Sequence, residues 1–369
     1  MVDQVSYKNF RSFKDFSLEL SPITMLTGNN SAGKTSVLEG LYCLFSATRL
    51  DVSPLSRYDR GIAVSNSSNL RKTYNYKRFW DECPYYGHDE CIIEAKANDA
   101  SKWEWSYKKA NLSDIHQSTI PQEIIKNSNM PIDGRTQFAL FNWRDISKQN
   151  VVGESFPCAQ VLTPDGDLYF ISDIPQGKSI SYYIDFSNLR LLVSDLPFDL
   201  AKKIVFALQI INPQVTDIRL KGIGSGFSVV LNNETEISLE TLGNGSVSWV
   251  SALLSFLKIA EFVDAIDKEG DMTHPAIMLV DEMGTGIHYS SMLNIWKYIK
   301  GFREQNPNIQ FVFTSHSDDC IRAYCDVFSD SDIAKIVRLH QRVDDVIVPT
   351  YYNKEDFESI AAGNWEVRG

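Results

Sequence analysis

The chain has 369 residues, of which 43% are hydrophobic, and a formal net charge of −11. This length and apolar content provide one large domain or two ordinary ones and exclude wholesale disorder. The acidic balance argues against a surface that coats DNA or RNA, although it permits a local basic groove. No apolar run approaches the roughly 20 residues that span a bilayer, and no secretory signal is present. Six scattered cysteines are typical of reduced thiols, so we expect a cytoplasmic protein without a membrane segment.

The first 48 residues have the pattern strand, glycine loop, helix. Two short strands are predicted between residues 5 and 20, and a buried strand over residues 23–27. From Lys34 to Ala47, apolar residues recur at helical spacing. The glycine-rich segment therefore joins a buried strand to an amphipathic helix.

That segment matches G-x-x-x-x-G-K-[ST], the P-loop pattern. Its glycines let successive backbone N–H groups face phosphates, and the helix that begins there adds its positive end. Lys34 is expected to reach the β- and γ-phosphates of ATP, and the Thr35 hydroxyl to coordinate Mg²⁺. A chance glycine turn is the alternative, but the flanking strand and helix are those that a P-loop requires. The predicted nucleotide ligands are Gly28, Asn29, Asn30, Ser31, Ala32, Gly33, Lys34, Thr35 and Ser36.

Residues 49–185 differ from their flanks, being rich in Ser, Asn, Asp, Tyr and Trp with weak periodicity. Residues 91–97 and 103–107 are predicted to form a hairpin. We interpret residues 49–185 as an insertion with a β lobe and loops, a candidate partner-binding region. It would separate two parts of one ATPase core, residues 1–48 and 186–369.

Two other functions were weighed for this insertion. Cys83, His88 and Cys91 raise the alternative of a zinc site, but their spacing is unusual and no fourth ligand is evident, so ordinary loop residues are favoured. An aromatic-rich stretch raises the alternative of stacking on nucleic-acid bases, although a β-lobe core with surface tyrosines is favoured. Its members are Trp80, Tyr85, Tyr86, Trp103, Trp105 and Tyr107, with Lys72, Lys77 and Arg78 nearby.

From about residue 186, strands alternate regularly with helices. The alternation predicts an α/β fold whose largely parallel sheet is covered on both faces. The predicted elements are helices over 200–211, 248–266 and 289–303 and strands over 215–220, 226–231, 236–239, 276–280 and 309–314.

One of these strands, residues 277–280, ends in two carboxylates, Asp281 and Glu282. A parallel sheet presents its ligands at the carboxyl ends of its strands. Asp281 can hold magnesium through water there, and Glu282 can polarise an attacking water as a general base. Solvated acids at a strand end would be the favoured interpretation if no P-loop lay upstream.

A third strand end carries His316, which follows residues 311–315. A lone histidine after a strand is usually a loop residue. This strand, however, follows the carboxylate strand by one helix, so the two can be sheet neighbours. His316 is then expected to contact the γ-phosphate.

A second glycine-rich segment opens the long apolar helix. Glycines and a serine at a helix N-terminus can bind an anion, although most such stretches are simple caps. Its position before the carboxylate strand favours phosphate binding. The segment consists of Leu242, Gly243, Asn244, Gly245 and Ser246.

In this order, the four elements resemble the ABC-type ATPase heads of the SMC, RecF and overcoming-lysogenization-defect (OLD) proteins. Residues 7–15 resemble the N-terminal strand motif of that branch, and the likeness is strongest to the stand-alone bacterial AAA-family ATPases. Those proteins carry a Leu-Gly-Asp-Gly signature, an Asp-Glu-x-Glu-Asn-Gly-Leu-His box and a Thr-His-Ser switch. The matching segments are residues 242–245, 281–288 and 315–317.

The resemblance covers residues 1–48 and about 190–369, and it implies a homodimer or higher homo-oligomer of head-to-tail ATPase heads. The signature of one subunit would cap the γ-phosphate that the other subunit's Lys34 binds, and hydrolysis would require the dimer. Arg11 would lie near the nucleotide.

Three departures from the resembled pattern bear on turnover. Asn244 replaces the usual Asp, and Gly284 and Thr285 replace Glu-Asn. The usual lobe-I glutamine has only Gln137 and Gln160 as candidates. Because Glu282 and His316 are retained, we expect an ATPase that is slow or gated by a partner.

The complete ATPase set without an attached effector predicts a switch subunit in bacterial anti-phage defence. A separately encoded nuclease or toxin would be the effector, since the chain beyond His316 leaves no room for the TOPRIM domain of OLD nucleases. A RecF-like DNA-repair ATPase is the first alternative, which the acidic charge disfavours. A scaffold that assembles on ATP without hydrolysing it is the second.

Overall fold

The computed structural model describes residues 1–45, 81–111, 137–146, 155–162, 168–172, 180–185, 198–220, 227–269, 275–342, 346–363 and 367. Six α-helices lie entirely within these residues. They are α1 (Lys34–Phe45), α2 (Phe198–Ile211), α3 (Asn244–Glu269), α4 (Tyr289–Gln305), α5 (Asp318–Phe328) and α6 (Lys354–Ala361).

The main sheet is mostly parallel and lies at the centre of the fold. Its strands are β3 (Ile23–Gly28), β9 (Ile180–Asp185), β13 (Ala276–Asp281), β14 (Ile309–Thr314), β15 (Ala334–Gln341) and β16 (Ile347–Tyr352). They lie in the order β16-β15-β3-β14-β13-β9, and only β15 and β16 pair antiparallel. Every residue of β3, β13 and β14 is buried, as expected for strands covered on both faces.

An antiparallel sheet covers one face of this core. Its strands are β1 (Gln4–Phe10), β2 (Phe13–Glu19), β4 (Glu90–Lys96), β5 (Lys102–Ala110), β6 (Gln137–Asp145), β7 (Ser155–Leu162) and β8 (Leu168–Ser172). They lie in the order β2-β1-β4-β5-β6-β7-β8. The predicted hairpin is confirmed as β4 and β5, in which Ile93 pairs with Trp105.

Strands from the predicted insertion contribute to both sheets. β4 to β8 continue the sheet that β1 and β2 begin, and β9 pairs with β13 in the main sheet. The division of the chain at residues 48 and 185 stays a prediction.

The helix α1 lies between the two sheets and shares one apolar core with both. The Tyr7 hydroxyl of β1 donates a hydrogen bond to the Val37 carbonyl oxygen at 2.9 Å. Gly40 faces the same ring so closely that a Cβ there would lie 2.3 Å from Tyr7 Cε1. The helix that follows the glycine loop is therefore fixed directly against β1.

Helices α3 to α6 cover the opposite face of the main sheet and form a second core with it. A smaller core joins α2 and the N-terminal half of α3 to three short strands. These strands are β10 (Val215–Leu220), β11 (Phe227–Leu231) and β12 (Glu236–Ser238), followed by a 3₁₀ turn at Leu239–Leu242.

The long helix α3 begins at Asn244, earlier than the predicted start at residue 248. Gly243 precedes it with a φ of +95°, and the Ser246 N–H bonds to the Gly243 carbonyl oxygen. The last three residues of the second glycine-rich segment, residues 244–246, therefore lie in the first turn of this helix. Contrary to the expectation that no apolar segment approaches membrane-spanning length, Asn244–Ala265 is long and apolar enough to cross a membrane, but 65% of its most apolar window is buried, as in a core helix.

Candidate functional site

The glycines at both ends of the P-loop are required by its geometry. Gly28 has a φ of +125°, and a Cβ there would lie 2.1 Å from the Leu339 carbonyl oxygen of β15. Gly33 has a φ of +86°, and a Cβ there would lie 2.7 Å from the Phe13 ring. Of the predicted ligands between and after these glycines, Ala32 is buried, Asn29, Asn30 and Ser31 are exposed, and Ser36 is partly buried.

Lys34 folds back onto the loop that precedes it. Its Nζ donates hydrogen bonds to the carbonyl oxygens of Gly28 and Asn29, each at 2.8 Å. Burial lowers the pKa of Lys34 to about 8, while the carboxylates of Asp281 and Glu282 act in the opposite direction. The two acids predicted at the end of the carboxylate strand therefore lie close enough to act on the P-loop lysine.

The lowered pKa of Lys34 predicts a specific pH dependence of stability without nucleotide. Between about pH 8 and the ordinary value of 10.5, the unfolded chain binds this proton and the folded protein does not. Stability from Lys34 therefore rises with pH across that window, by on the order of 1 kcal/mol. When thermal unfolding is measured from pH 8 to 10, the stability of wild type should rise more steeply with pH than that of Lys34→Met. The exposed Lys297→Met is the matched control, and equal slopes for wild type and Lys34→Met would contradict the prediction.

Thr35 and Asp281, the two predicted magnesium ligands, are in direct contact although they lie 246 positions apart in the chain. Thr35 Oγ1 donates to Asp281 Oδ2 at 3.0 Å, and Asp281 is only 1% exposed. A hydroxyl and a carboxylate are hard oxygen donors that suit Mg²⁺, which is usually shared with substrate phosphates. The described residues contain no cluster of three His, Cys, Asp or Glu side chains that would hold a metal by itself. The residues present thus fit a magnesium ion shared with a nucleotide.

Thr314 connects the two acids and was not predicted as a site residue. Its hydroxyl donates to Asp281 Oδ1 at 2.5 Å and accepts the Glu282 backbone N–H at 2.8 Å. Glu282 has a φ of +58°, a strained conformation that places this carboxylate just beyond β13. The sequence feature that could have indicated Thr314 as a site residue is its hydroxyl at the end of a fully buried strand.

His316 lies beside the same groups. β14 pairs with both β3 and β13, so the predicted adjacency of the histidine strand and the carboxylate strand is confirmed. Burial lowers the pKa of His316, and the positive charge of Lys34 lowers it further, while Glu282 and Asp281 oppose the shift. The ring is therefore neutral near pH 7 and available for hydrogen bonding at the edge of the sheet.

The signature, residues 242–246, lies next to the turn that follows Glu282. A Cβ at Gly245 would lie 2.4 Å from the Gly286 carbonyl oxygen, so the two backbones are in direct contact. Gly243 and Asn244 are exposed, and among the described residues nothing comes within 4 Å of a Cβ built at Gly243. Ser246 is buried and bonds through its hydroxyl to the Leu242 carbonyl oxygen.

The presence of glycine at position 284, where the resembled pattern has glutamate, has a structural reason. Gly284 has a φ of +89°, and a Cβ there would lie 2.8 Å from Cys320 Cβ. The glutamate of the resembled pattern would be both strained and crowded in this turn. Thr285 closes the turn by donating its hydroxyl to the Glu282 carbonyl oxygen at 2.9 Å.

Arg11 lies beside the second turn of α1. Its Nε is 3.2 Å from Glu39 Oε2, and another guanidinium nitrogen is 3.5 Å from Glu82 Oε2. The next residue, Ser12, approaches Gly33, where a Cβ would lie 3.1 Å from Ser12 Oγ. Arg11 is thus near the P-loop, and a direct role for it in nucleotide binding stays a prediction.

Neither candidate for the lobe-I glutamine is on the main sheet. Gln137 belongs to β6 and Gln160 to β7, both in the antiparallel sheet. The strand beside β13 is β9, in which Asp185 pairs with Asp281. Residues 186–197, which follow β9 in the chain and lie outside the described residues, contain no glutamine.

The structure describes part of the middle region, for which a zinc site and stacking on nucleic-acid bases were weighed as alternatives. The Sγ atoms of Cys83 and Cys91 lie 3.6 Å apart, and among the described residues they belong to no group of three His, Cys, Asp or Glu side chains that could hold a metal. Trp103, Trp105 and Tyr107 are buried in the core, as the β-lobe interpretation predicts, and Tyr86 is 96% exposed. Trp80, Lys72, Lys77 and Arg78 lie outside the described residues.

The P-loop strand β3, the histidine strand β14 and the carboxylate strand β13 lie side by side in the main sheet. The antiparallel sheet covers α1, the helix that follows the P-loop. This fold and this site define the class of P-loop nucleotide-binding proteins.

Comparison with known proteins agrees with that class. Residues 1–146 match the family model described as the AAA ATPase domain. An "ATP/GTP phosphatase" of Helicobacter pylori is 22% identical over 378 residues, which cover 97% of each protein.

Two solved structures align with most of this chain at TM-scores below 0.5. One is the Smc head domain from Pyrococcus furiosus, with a TM-score of 0.44, 10% identity and coverage of 98% of this chain and 99% of that chain. The other is the recombination mediator RecF, with a TM-score of 0.39, 9% identity and coverage of 95% and 98%.

Proposed function

We propose that this chain is an ATP-hydrolysing switch subunit of the cytoplasm that dimerises head to tail on ATP. In this proposal the dimer controls a separately encoded nuclease or toxin in bacterial anti-phage defence. One observation supports the proposed dimer. Gly243 and Asn244 are exposed, and the next residue, Gly245, packs against Gly286, whereas the hydrogen bonds of Lys34 are made within its own P-loop. Such a signature is available to the nucleotide of a second copy.

Each catalytic group has one task in this proposal. Lys34 would exchange its two loop carbonyls for phosphate oxygens, and Thr35 with Asp281 would hold Mg²⁺, which supplies positive charge against the phosphates. Glu282 would take the proton from the attacking water. The neutral His316 would hydrogen-bond the γ-phosphate.

Turnover in this proposal is slow or gated by a partner. The crowded glycine at position 284 offers no polar side chain in the turn after Glu282, where the resembled pattern has a glutamate. The relative named an ATP/GTP phosphatase supports hydrolysis in a protein of similar extent, and it makes GTP the second nucleotide to test.

The proposal is tested by the native mass of the purified protein. We expect the mass to double with ATP and Mg²⁺ and to stay monomeric with ADP, while the protein alone leaves DNA and RNA uncut. Cleavage of nucleic acid by the protein alone would contradict a separate effector. ATP-dependent DNA binding that weakens steeply with salt would favour the RecF-like repair function instead. A gene neighbour that encodes no effector-like protein would contradict the defence role.

A further inference from the structure

The Thr314 hydroxyl, at the end of β14, makes one hydrogen bond to each of the two acids. It donates to Asp281 Oδ1 at 2.5 Å and accepts the Glu282 backbone N–H at 2.8 Å. A hydroxyl has one proton to donate and lone pairs that accept, so a single group can serve both neighbours. Because Thr314 is only 1% exposed, bulk water is excluded from its surface.

Two hydroxyls from different elements hold the Asp281 carboxylate. Thr35, in the first turn of α1, lies 3.0 Å from Oδ2 and 3.3 Å from Oδ1, whereas Thr314 binds Oδ1 from β14. With Oδ1 held by Thr314, Oδ2 lies beside the Thr35 hydroxyl, and such a pair of hard oxygens suits Mg²⁺. The rotation of the carboxylate about its Cβ–Cγ bond is therefore set in part by Thr314.

The end of β14 also holds the backbone that carries the proposed general base. Glu282 has a φ of +58°, which is uncommon for a residue with a side chain. The next N–H, that of Met283, donates to the Thr314 carbonyl oxygen at 2.7 Å, and the Ser315 hydroxyl donates to the Met283 carbonyl oxygen at 2.7 Å. The turn after β13 is thus tied to β14 by backbone and side-chain bonds, and the Thr314 side chain supplies the bond at Glu282 itself.

We propose that Thr314 is a positioning residue for ATP hydrolysis, whose one hydroxyl orients Asp281 toward Mg²⁺ and Glu282 toward the attacking water. The inference rests on the proposed function, in which these two acids are the magnesium ligand and the general base. Loss of a hydrogen-bond partner that orients a metal ligand typically lowers metal affinity or activity by about 10- to 100-fold. Loss of this hydroxyl therefore weakens metal binding and slows hydrolysis together, although Lys34 and the P-loop are unchanged.

The test compares Thr314→Val, which removes the hydroxyl at nearly constant size, with Thr314→Ser, which keeps it. Mn²⁺, a paramagnetic substitute for Mg²⁺, is titrated into each protein with a non-hydrolysable ATP analogue, and its binding is measured by electron paramagnetic resonance. We expect the Kd for Mn²⁺ to rise about ten-fold in Thr314→Val and to stay near the wild-type value in Thr314→Ser. The kcat for ATP hydrolysis at saturating Mg²⁺ should fall about ten-fold in Thr314→Val and recover in Thr314→Ser.

Thr24→Val is the matched control, because Thr24 is also a fully buried strand residue. Its hydroxyl accepts the Ser21 backbone N–H at 2.9 Å and donates to the Ser21 carbonyl oxygen at 3.2 Å, so it too serves two backbone or side-chain groups. Thr24 lies at the amino end of β3, whereas the P-loop follows the carboxyl end of that strand. Thr24→Val should therefore bind Mn²⁺ and hydrolyse ATP as wild type does.

Three results would overturn the inference. If Thr314→Val matches wild type in Mn²⁺ binding and kcat, the hydroxyl does not position the acids. If Thr314→Ser or Thr24→Val is as impaired as Thr314→Val, the effect is one of packing. Thr314→Ala, which lacks the methyl group that valine places against the carboxylate, decides the question if Thr314→Val does not fold. If wild type binds no Mn²⁺ with the analogue, the proposed function fails and the inference fails with it.

Discussion

Replacing Glu282 by glutamine is expected to lower the rate of ATP hydrolysis at least about a hundred-fold, because it removes the general base. Binding should survive, since Lys34, Thr35 and Asp281 are unchanged. Glutamine also keeps the size of the side chain, and the bond from the residue's backbone N–H to Thr314 Oγ1 remains. Phosphate release measures the loss, and native mass with ATP should reveal a dimer that no longer dissociates.

A matched variant separates this effect from the loss of any carboxylate. Glu304→Gln removes an exposed acid at the end of α4, outside the site, and should hydrolyse ATP at the wild-type rate. Equal rates and equal assembly in wild type and Glu282→Gln would favour the scaffold that does not hydrolyse ATP.

Mixing two inactive variants is expected to restore hydrolysis if the site is shared between subunits. Lys34→Ala removes the phosphate ligand, and Asn244→Trp places a bulky side chain on the exposed first turn of α3. Each variant alone should be inactive, because both sites of its symmetric dimer are damaged. Heterodimers should contain one site with an intact P-loop and an intact signature, giving about a quarter of wild-type activity in an equal mixture.

The mixing experiment needs a bulky substitution elsewhere as its control. Asn232 is exposed in the turn after β11, outside the signature, so Asn232→Trp should keep full activity alone. An inactive mixture of Lys34→Ala and Asn244→Trp would show that the signature does not complete the site of a second subunit.

Local patterns were enough to predict the central strands of this fold. Three segments each consist of a fully buried strand followed by polar residues at its carboxyl end: the P-loop, the carboxylate strand and the histidine strand. The apolar run predicts the strand, and the polar residues after it predict the site. The carboxylate strand and the histidine strand were expected to be neighbours because only one helix separates them in the chain. Since β14 lies between β13 and β3, Thr35 after the P-loop strand can reach Asp281.

Non-local pairing was harder to predict. The sequence indicated β4 and β5 but gave no sign of β6, whose neighbours are set by register across the antiparallel sheet. The role of Thr314 depends on β14 lying between β3 and β13, because only there does its hydroxyl reach Asp281. The early start of α3 was missed because Gly245, a poor helix residue, lies in its first turn, where close packing on Gly286 needs a glycine.

The contact between Gly245 and Gly286 joins the first turn of α3 to the turn after Glu282. The two backbones are in direct contact, so a shift of either segment displaces the other. In the proposed dimer, a second subunit that contacts the exposed Asn244 would shift the turn that begins at Glu282. The timing of hydrolysis would thereby depend on assembly, with the catalytic carboxylate registering the arrival of the neighbouring subunit.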